Sequence, residues 1–307
     1  MATSRATFIA GATLLAVFAI PAPAAETPRD RGDYLFRAAG CGGCHTDEKN
    51  HGPALAGGPA IKTPRGTFYG PNISPDPAHG LGRWREVDFI RAMREGVRPD
   101  GAHYYPSFPY ASYTRLSDDD LRALWAYLRR QPPVAQPNRP HDLPWYLRPR
   151  SLLSTWKALY FTPGAWQPRP DKDETWNRGA YLVEAVTHCG ECHTPRDALG
   201  GPRRALHLAG TRDGPDDSVV PNITPDRKTG IGRWRKSEIV EYLASGMTPE
   251  GDFAGDVMAE IIDRSTSRLT AADREAIATY LLSLPPVEHA TRKEKQKPAP
   301  RRDDFGF

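Results

Sequence analysis

The sequence predicts an all-α protein made of two tandem copies of one small helical domain, joined by a strap rich in proline and tryptophan. Three observations carry this expectation. A long series of residues recurs at shifts of 147 to 153 positions. The 31 prolines and 27 glycines among 307 residues favour short helices and turns over long helices. Apolar residues recur with helical spacing, and strand-like alternation is negligible.

The first element, residues 1–24, reads as an export signal. Arg5 gives a positive start, Phe8 to Ile20 is an apolar run, and Ala22-Pro23-Ala24 offers a small-x-small cleavage pattern before Ala25. The alternative is an uncleaved anchor, but this run is 13 residues long, against the roughly 20 a membrane span needs. Export predicts an oxidising compartment, expected here to be the periplasm.

The first copy is expected at 28–134 and the second at 174–287. Arg31-Gly32-Asp33-Tyr34-Leu35 returns as Arg178-Gly179-Ala180-Tyr181-Leu182. Pro71-Asn72-Ile73-Ser74-Pro75-Asp76 returns as Pro221-Asn222-Ile223-Thr224-Pro225-Asp226, and Gly80-Leu81-Gly82-Arg83-Trp84-Arg85 as Gly230-Ile231-Gly232-Arg233-Trp234-Arg235. Leu116 to Tyr127 returns as Leu269 to Tyr280, and each copy ends in Pro-Pro-Val, at 132–134 and 285–287. Within a copy, Gly-x-Tyr-Leu begins a short helix. Val87, Ile90 and Met93 share a helical face that ends at Gly96. Ser117 caps a helix with three aspartates in its first turn and Leu121, Leu124, Trp125 and Leu128 on its apolar face.

Between the copies, 135–173 carries Trp145, Tyr146, Trp156, Tyr160, Phe161 and Trp166. A free linker is poor in aromatics, so this segment is expected to pack over both copies and fix them to one another. The tail, 288–307, has Lys or Arg at 292, 293, 295, 297, 301 and 302 with prolines nearby, a disordered composition. Along the whole chain 41 basic residues face 37 acidic ones, without a basic stripe, so nucleic acid is not an expected partner.

All four cysteines fall in two motifs of one form. Cys41-Gly42-Gly43-Cys44-His45 and Cys189-Gly190-Glu191-Cys192-His193 are both C-x-x-C-H. In that pattern two thiols add to the two vinyl groups of one haem, and the adjacent histidine reaches the iron. A thioredoxin-like pair would need an α/β context that is not visible. A zinc site would have to gather pairs 148 residues apart and leave two histidines over. Disulfides within C-x-x-C are rare. Two covalent c-type haems are therefore expected, attached at Cys41 and Cys44 and at Cys189 and Cys192, with His45 and His193 as proximal ligands.

Both copies resemble class I cytochrome c domains. The pair is similar to the multi-haem cytochrome c subunits of periplasmic dehydrogenases for alcohols, aldehydes or gluconate. The resemblance rests on CGGCHT and CGECHTPRDALG, PNISPD and PNITPD, GLGRW and GIGRW, REGVRPDG, the FPY segment and WNRGAYLVE, across most of 30–287. It implies electron transfer, with a dehydrogenase as donor and a quinone, cytochrome or oxidase as acceptor. Those subunits usually carry three haems and a membrane-binding C-terminal segment. This chain has two motifs and a polar, basic end, so any membrane association is expected through a partner.

A class I domain closes the distal side of its haem with a methionine downstream of the motif. A 150-residue shift lays Met258 opposite Phe108. Met258 is therefore the expected distal ligand of the second haem, and the resemblance places the family's ligand at the same position. Met247 falls opposite Val97, an expected core position. The first copy lacks the methionine. Its iron is five-coordinate or water-bound under Phe108, or bound by His103, Tyr105 or Tyr110 of the same loop, or by Met93; these stay open.

Further residues carry weaker signals. Asn72, Arg83 and Trp84, with Asn222, Arg233 and Trp234, have the groups to hold haem propionates, although plain turn chemistry explains them equally. Pro53 and Pro195 follow the motifs and are expected to offer a carbonyl to the proximal histidine. His51, His79, His141, His188, His207 and His289 read as solvated or capping residues. No hydrolase or nucleotide site is visible. The expected function is electron carriage. The alternative is a dihaem enzyme, a peroxidase or a small sulfur-anion oxidoreductase, acting at an open first haem.

Overall fold

In each copy the first and last helices cross at a glycine, and this crossing organises the fold. The structure, a computed structural model, describes residues 28–291. The export signal at 1–24 and the basic tail from 292 onward lie outside the described residues. In the first copy α1 (Pro28–Ala38) packs on α5 (Asp118–Leu128), with α2 (Cys41–His45), α3 (Glu86–Glu95) and α4 (Tyr110–Tyr113) between them. The strap carries α6 (Leu152–Tyr160). The second copy repeats the pattern with α7 (Glu174–Tyr181), α8 (Gly190–His193), α9 (Lys236–Ser245), α10 (Asp256–Arg264) and α11 (Ala271–Ser283).

A Cβ on Gly32 would lie 2.3 Å from the Ala123 carbonyl oxygen, and one on Gly179 would lie 1.9 Å from that of Ala276. Only glycine lets the backbones approach this closely. That is why Arg-Gly-x-Tyr-Leu recurs. The caps follow the sequence: the side chain of Ser117 accepts from the Asp120 N–H, and that of Thr270 from the Asp273 N–H. Gly96 and Gly246 end α3 and α9 in the left-handed conformation, at φ 61° and 82°.

The described residues are helix-rich, with one departure from an all-helical chain. Strands β1 (Ala60–Thr63) and β2 (Gly66–Tyr69) form an antiparallel hairpin, Ala60 opposite Tyr69 and Thr63 opposite Gly66. Asp142 extends it by exchanging backbone hydrogen bonds with Thr67 at 2.8 and 2.9 Å. The second copy has a single bridge here, Thr211 to Val220. Four-residue strands in one copy alone leave little alternation to detect.

One apolar core runs through both copies, joining Leu35, Leu121 and Leu124 to Leu182, Val183, Ile277 and Leu281. A reciprocal polar exchange seals the junction. Tyr34 of α1 donates to Asp273 of α11 at 2.5 Å, and Tyr181 of α7 donates to Asp120 of α5. Each tyrosine oxygen accepts the N–H of the opposite helix cap, Thr270 at 3.2 Å and Ser117 at 3.0 Å. Arg31 and Arg178 complete the two carboxylates from within their own copies.

In the strap, Lys157 donates to the carbonyls of Glu95 and Gly96 at 2.5 and 2.8 Å, at the end of α3. Phe161 meets the Tyr110 ring edge-on at 5.1 Å, and Trp166 N–H bonds Arg115 O at 2.8 Å. Tyr160 reaches the second copy, donating to Asp197 at 2.8 Å. Trp145 and Tyr146 are exposed. Glu288 and His289 are held as well, by Lys228 at 3.0 Å and by the Ala209 carbonyl at 3.0 Å.

Candidate haem sites

In the first copy the whole C-x-x-C-H forms α2, just after α1; in the second, Cys189 caps α8, which follows α7 after a π-helical stretch, Leu182–Val186. None of the four cysteines is in a disulfide. Cys41, Cys44 and His45 line a cavity of about 1870 Å³ whose walls include Tyr69, Trp84, Met93, Phe108 and Tyr113. Backbone closes in behind the turn: a Cβ on Gly70 or Gly58 would lie 1.6 or 1.9 Å from the Cys44 carbonyl oxygen.

Both histidines are prepared in the same way. His45 Nδ1 is 2.7 Å from the Pro71 carbonyl, and His193 Nδ1 is 2.8 Å from that of Pro221. A carbonyl only accepts, so Nδ1 carries the proton. Burial lowers both imidazole pKa values, against the opposing pull of that hydrogen bond. The rings are thus neutral, with the lone pair on Nε2, as an axial ligand requires. Burial also pushes the thiols of Cys41 and Cys192 up to about 12 and that of Cys189 to about 11. These are inert thiols, unlike a redox C-x-x-C or a thiolate metal site. Among the described residues no three His, Cys, Asp or Glu side chains converge as a metal cluster would need. The residues fit a covalently held haem in each copy.

The carbonyls come from Pro71 and Pro221, not from Pro53 and Pro195. The Pro53 carbonyl accepts Ala56 N–H at 3.3 Å, and that of Pro195 accepts Arg203 N–H at 2.9 Å. Asn72 and Asn222 do turn chemistry. Asn72 donates to the Val134 and Gln136 carbonyls at 2.7 and 3.0 Å, and Asn222 to Val287 O at 2.7 Å. Each also accepts from the residue two positions on, Ser74 or Thr224. They tie the loop bearing the histidine's carbonyl partner to the Pro-Pro-Val end of the copy, which explains why both motifs recur. Arg83 and Arg233 are exposed.

Four of the histidines read as solvated or capping have structural partners: His141 Nδ1 accepts Tyr69 N–H at 3.3 Å, His289 is held by the Ala209 carbonyl, and His188 and His207 are engaged as follows. His188 holds φ 42°, at the position where the first copy has Gly40 at φ 62°. Its Nε2 is 3.2 Å from the Ala39 carbonyl, and its ring meets Tyr113 edge-on at 5.4 Å. His207 Nε2 is 2.9 Å from Glu184, which also accepts from Tyr280 at 2.8 Å. Thr187 and His188, just before the second motif, and Glu191 and Cys192 within it line this cavity alongside Cys44.

The distal candidates separate. Phe108 lines the first cavity, and Met93 does so from within the core of α3. His103 is not on that lining; its Nδ1 lies 2.9 Å from Lys157 Nζ. Tyr105 lines the wall with its hydroxyl turned to the carbonyls of Leu147 and Arg148, at 3.1 and 3.0 Å. Tyr110 is fully buried and its hydroxyl has no hydrogen-bond partner. Met258 is half-buried in α10. One turn on, the buried Ile262 reaches 3.6 Å from where a Cβ on Gly246 would stand, so that side of α10 faces the second copy. The neighbouring face, Val257, Glu260, Ile261 and Arg264, lines the first cavity. Met247, expected in the core, is exposed.

The family model for cytochrome c matches residues 30–132 and 177–285. The chain is 43% identical over 261 residues to a diheme cytochrome c-type protein of Cereibacter sphaeroides, covering 84% of this chain and 86% of that one. It is 41% identical over 271 residues to the fructose dehydrogenase cytochrome subunit of Gluconobacter japonicus, covering 86% and 54%. It is 41% identical over 267 residues to the cytochrome c subunit of a quinone alcohol dehydrogenase of Gluconobacter oxydans, covering 84% and 55%. The chain spans about half the length of these two dehydrogenase subunits.

Proposed function

The chain belongs to the cytochrome c family, and on that premise we propose that it is an exported, periplasmic dihaem cytochrome that carries electrons from a dehydrogenase to the respiratory chain. When bound, the haem iron supplies the one-electron chemistry. Cys41 and Cys44 would hold one haem and Cys189 and Cys192 the other, through thioether bonds. His45 and His193 would each bind the iron of their own haem, and Met258 would bind that of the second. The observation that carries the reading is the pair of neutral histidines, each following a C-x-x-C and held at Nδ1 by a proline carbonyl.

Relatives named as cytochrome subunits of fructose and alcohol dehydrogenases support a dehydrogenase as donor. The acceptor is a quinone, another cytochrome or an oxidase. No helix of the described residues is long and apolar enough to cross a membrane, and membrane association is assigned to a partner. The wall shared by Cys44 and Cys192 supports direct passage of electrons between the haems.

Mass spectrometry of the periplasmic fraction should find a chain starting near Ala25 with two haem additions; a chain with one or none overturns the attachment. Met258→Ala should remove the ferric methionine-to-iron charge-transfer band and lower the potential of the second haem. Survival of that band removes Met258 from the ligand set. Mixing with a substrate-reduced sugar or alcohol dehydrogenase should reduce both haems, and failure with every such donor sinks the proposed electron source.

A further inference from the structure

We infer that the first haem has no protein ligand on its distal side, and that the space beside Phe108 is a binding site for a small uncharged ligand such as carbon monoxide or nitric oxide. This rests on the two-haem reading.

The duplication defines the site. A 150-residue shift sets Phe108 of the first copy opposite Met258 of the second, and a phenyl ring has no lone pair for iron. Its loop holds four other side chains able to bind a metal: His103, Tyr105 and Tyr110 are engaged elsewhere or shut away, and Tyr104 stands against Phe108 as a phenol. His103 Nδ1 takes the Lys157 ammonium, which is itself anchored on the Glu95 and Gly96 carbonyls. Arg150 fixes the same residue through its backbone carbonyl, at 2.7 Å. Tyr105 has turned its hydroxyl to the strap. Tyr110 is enclosed away from the cavity lining, between the Lys157 ammonium and the Phe161 ring. Met93 lines the cavity, but it is packed within α3, where neighbouring Phe89 stacks on Trp125 at 5.4 Å.

The surroundings of Phe108 set the ligand class. Its ring sits among Tyr104, Tyr113 and Tyr110, with centroids 5.1, 5.8 and 6.4 Å away. An aromatic enclosure penalises an unpaired charge and admits a neutral diatomic. Burial pushes the Tyr104 phenol up to about 12, so it stays protonated, a poor ligand and an available hydrogen-bond donor. The second copy does not repeat this ring cluster. Phe253 and Ala254 stand there in place of His103 and Tyr104, and α10 delivers Met258.

The test is a carbon monoxide titration of the fully reduced protein, with haem counted independently as the pyridine haemochrome. The expected result is two haems and about one carbon monoxide per chain. Phe108→Met should abolish uptake, and Met258→Ala should raise it to about two per chain. If Phe108→Met does not fold, the parent and Met258→Ala still decide. Two haems with no uptake would mean that Met93 or His103 already fills the position, and overturns the inference. Two haems with uptake of two in the parent removes the asymmetry between copies and overturns it equally. Fewer than two haems would bring down the haem reading, and this inference with it.

Discussion

The hydroxyl of Tyr34 in the first copy donates to the carboxylate of Asp273 in the second at 2.5 Å, and Tyr181 returns the bond to Asp120. The four residues are two repeat-related pairs, so the copies meet through one contact used twice about a pseudo-twofold axis. Each aspartate also holds its own copy's arginine and sits in the first turn of its last helix. Docking of the copies is thereby coupled to the helix crossing inside each one.

Tyr34→Phe removes a hydrogen bond to a charged acceptor at a half-buried site, and should cost about 1–2 kcal/mol in urea unfolding. Asp273 adds a pH signature. Burial raises its pKa, but the hydrogen bonds from Arg178 and Tyr34 outweigh burial and hold it below the usual carboxylate range. The unfolded chain then binds more protons as the medium acidifies. The stability this group contributes is present above the unfolded value of about 3.9 and is lost as pH falls through the folded one. The variant should show a shallower acid-side fall in Tm. An unchanged acid limb would remove Tyr34 from the coupling.

Asn72→Ala leaves two carbonyls, those of Val134 and Gln136, without their donor, and frees the loop whose Pro71 carbonyl holds His45. A loss of about 2–3 kcal/mol is expected for unpaired buried polar groups. Asn222→Ala should do the same around His193. The local readout is the potential of each haem: the first should move in Asn72→Ala and the second in Asn222→Ala. Equal movement of both in either variant would make the effect global and the argument wrong.

His188 occupies a left-handed position that its counterpart, Gly40, occupies without strain. His188→Gly should therefore cost little stability. It should slow electron equilibration between the haems, because the ring that fills the space between Tyr113 and Ala39 is gone. His188→Ala keeps the backbone strain without the ring contacts and should be about 1 kcal/mol less stable than the glycine variant. Equilibration as fast in the glycine variant as in the parent would confine His188 to packing.

These residues mark what a sequence can and cannot disclose. The haem motifs and the duplication were legible because they depend on spacing along the chain. The crossing glycines and cap residues were legible as repeats, although their purpose was not. The Pro71 carbonyl is 26 residues from His45, and nothing local distinguishes it from Pro53, which stands nearer. His188 looked like a loop histidine because its partners lie across the junction. The tyrosine and aspartate positions were visible in both copies, but that each tyrosine serves the opposite copy is a property of docking. Met247, opposite the buried Val97, is exposed; a shared repeat position does not guarantee a shared environment.

The strap carries a second pH signature. Burial pushes the Lys157 ammonium down to about 8, with the Glu95 carboxylate opposing it and Arg91 adding to it. The unfolded lysine titrates near 10.4, so between about pH 8 and 10.4 the unfolded chain holds more protons than the folded one. The sign is therefore a stability that rises with pH across that window, as the cost of a buried charge is relieved. Below about pH 8 the cost is present in full, offset by bonds to the Glu95 and Gly96 carbonyls and to His103. Lys157→Met keeps the stem and removes the charge. It should lower Tm at about pH 7, because the last carbonyls of α3 lose their donor. It should also lack the alkaline rise contributed by this group. Parallel Tm profiles for parent and variant from about pH 7 to 10 would show that Lys157 does not titrate there, and would reduce its role to a cap on α3.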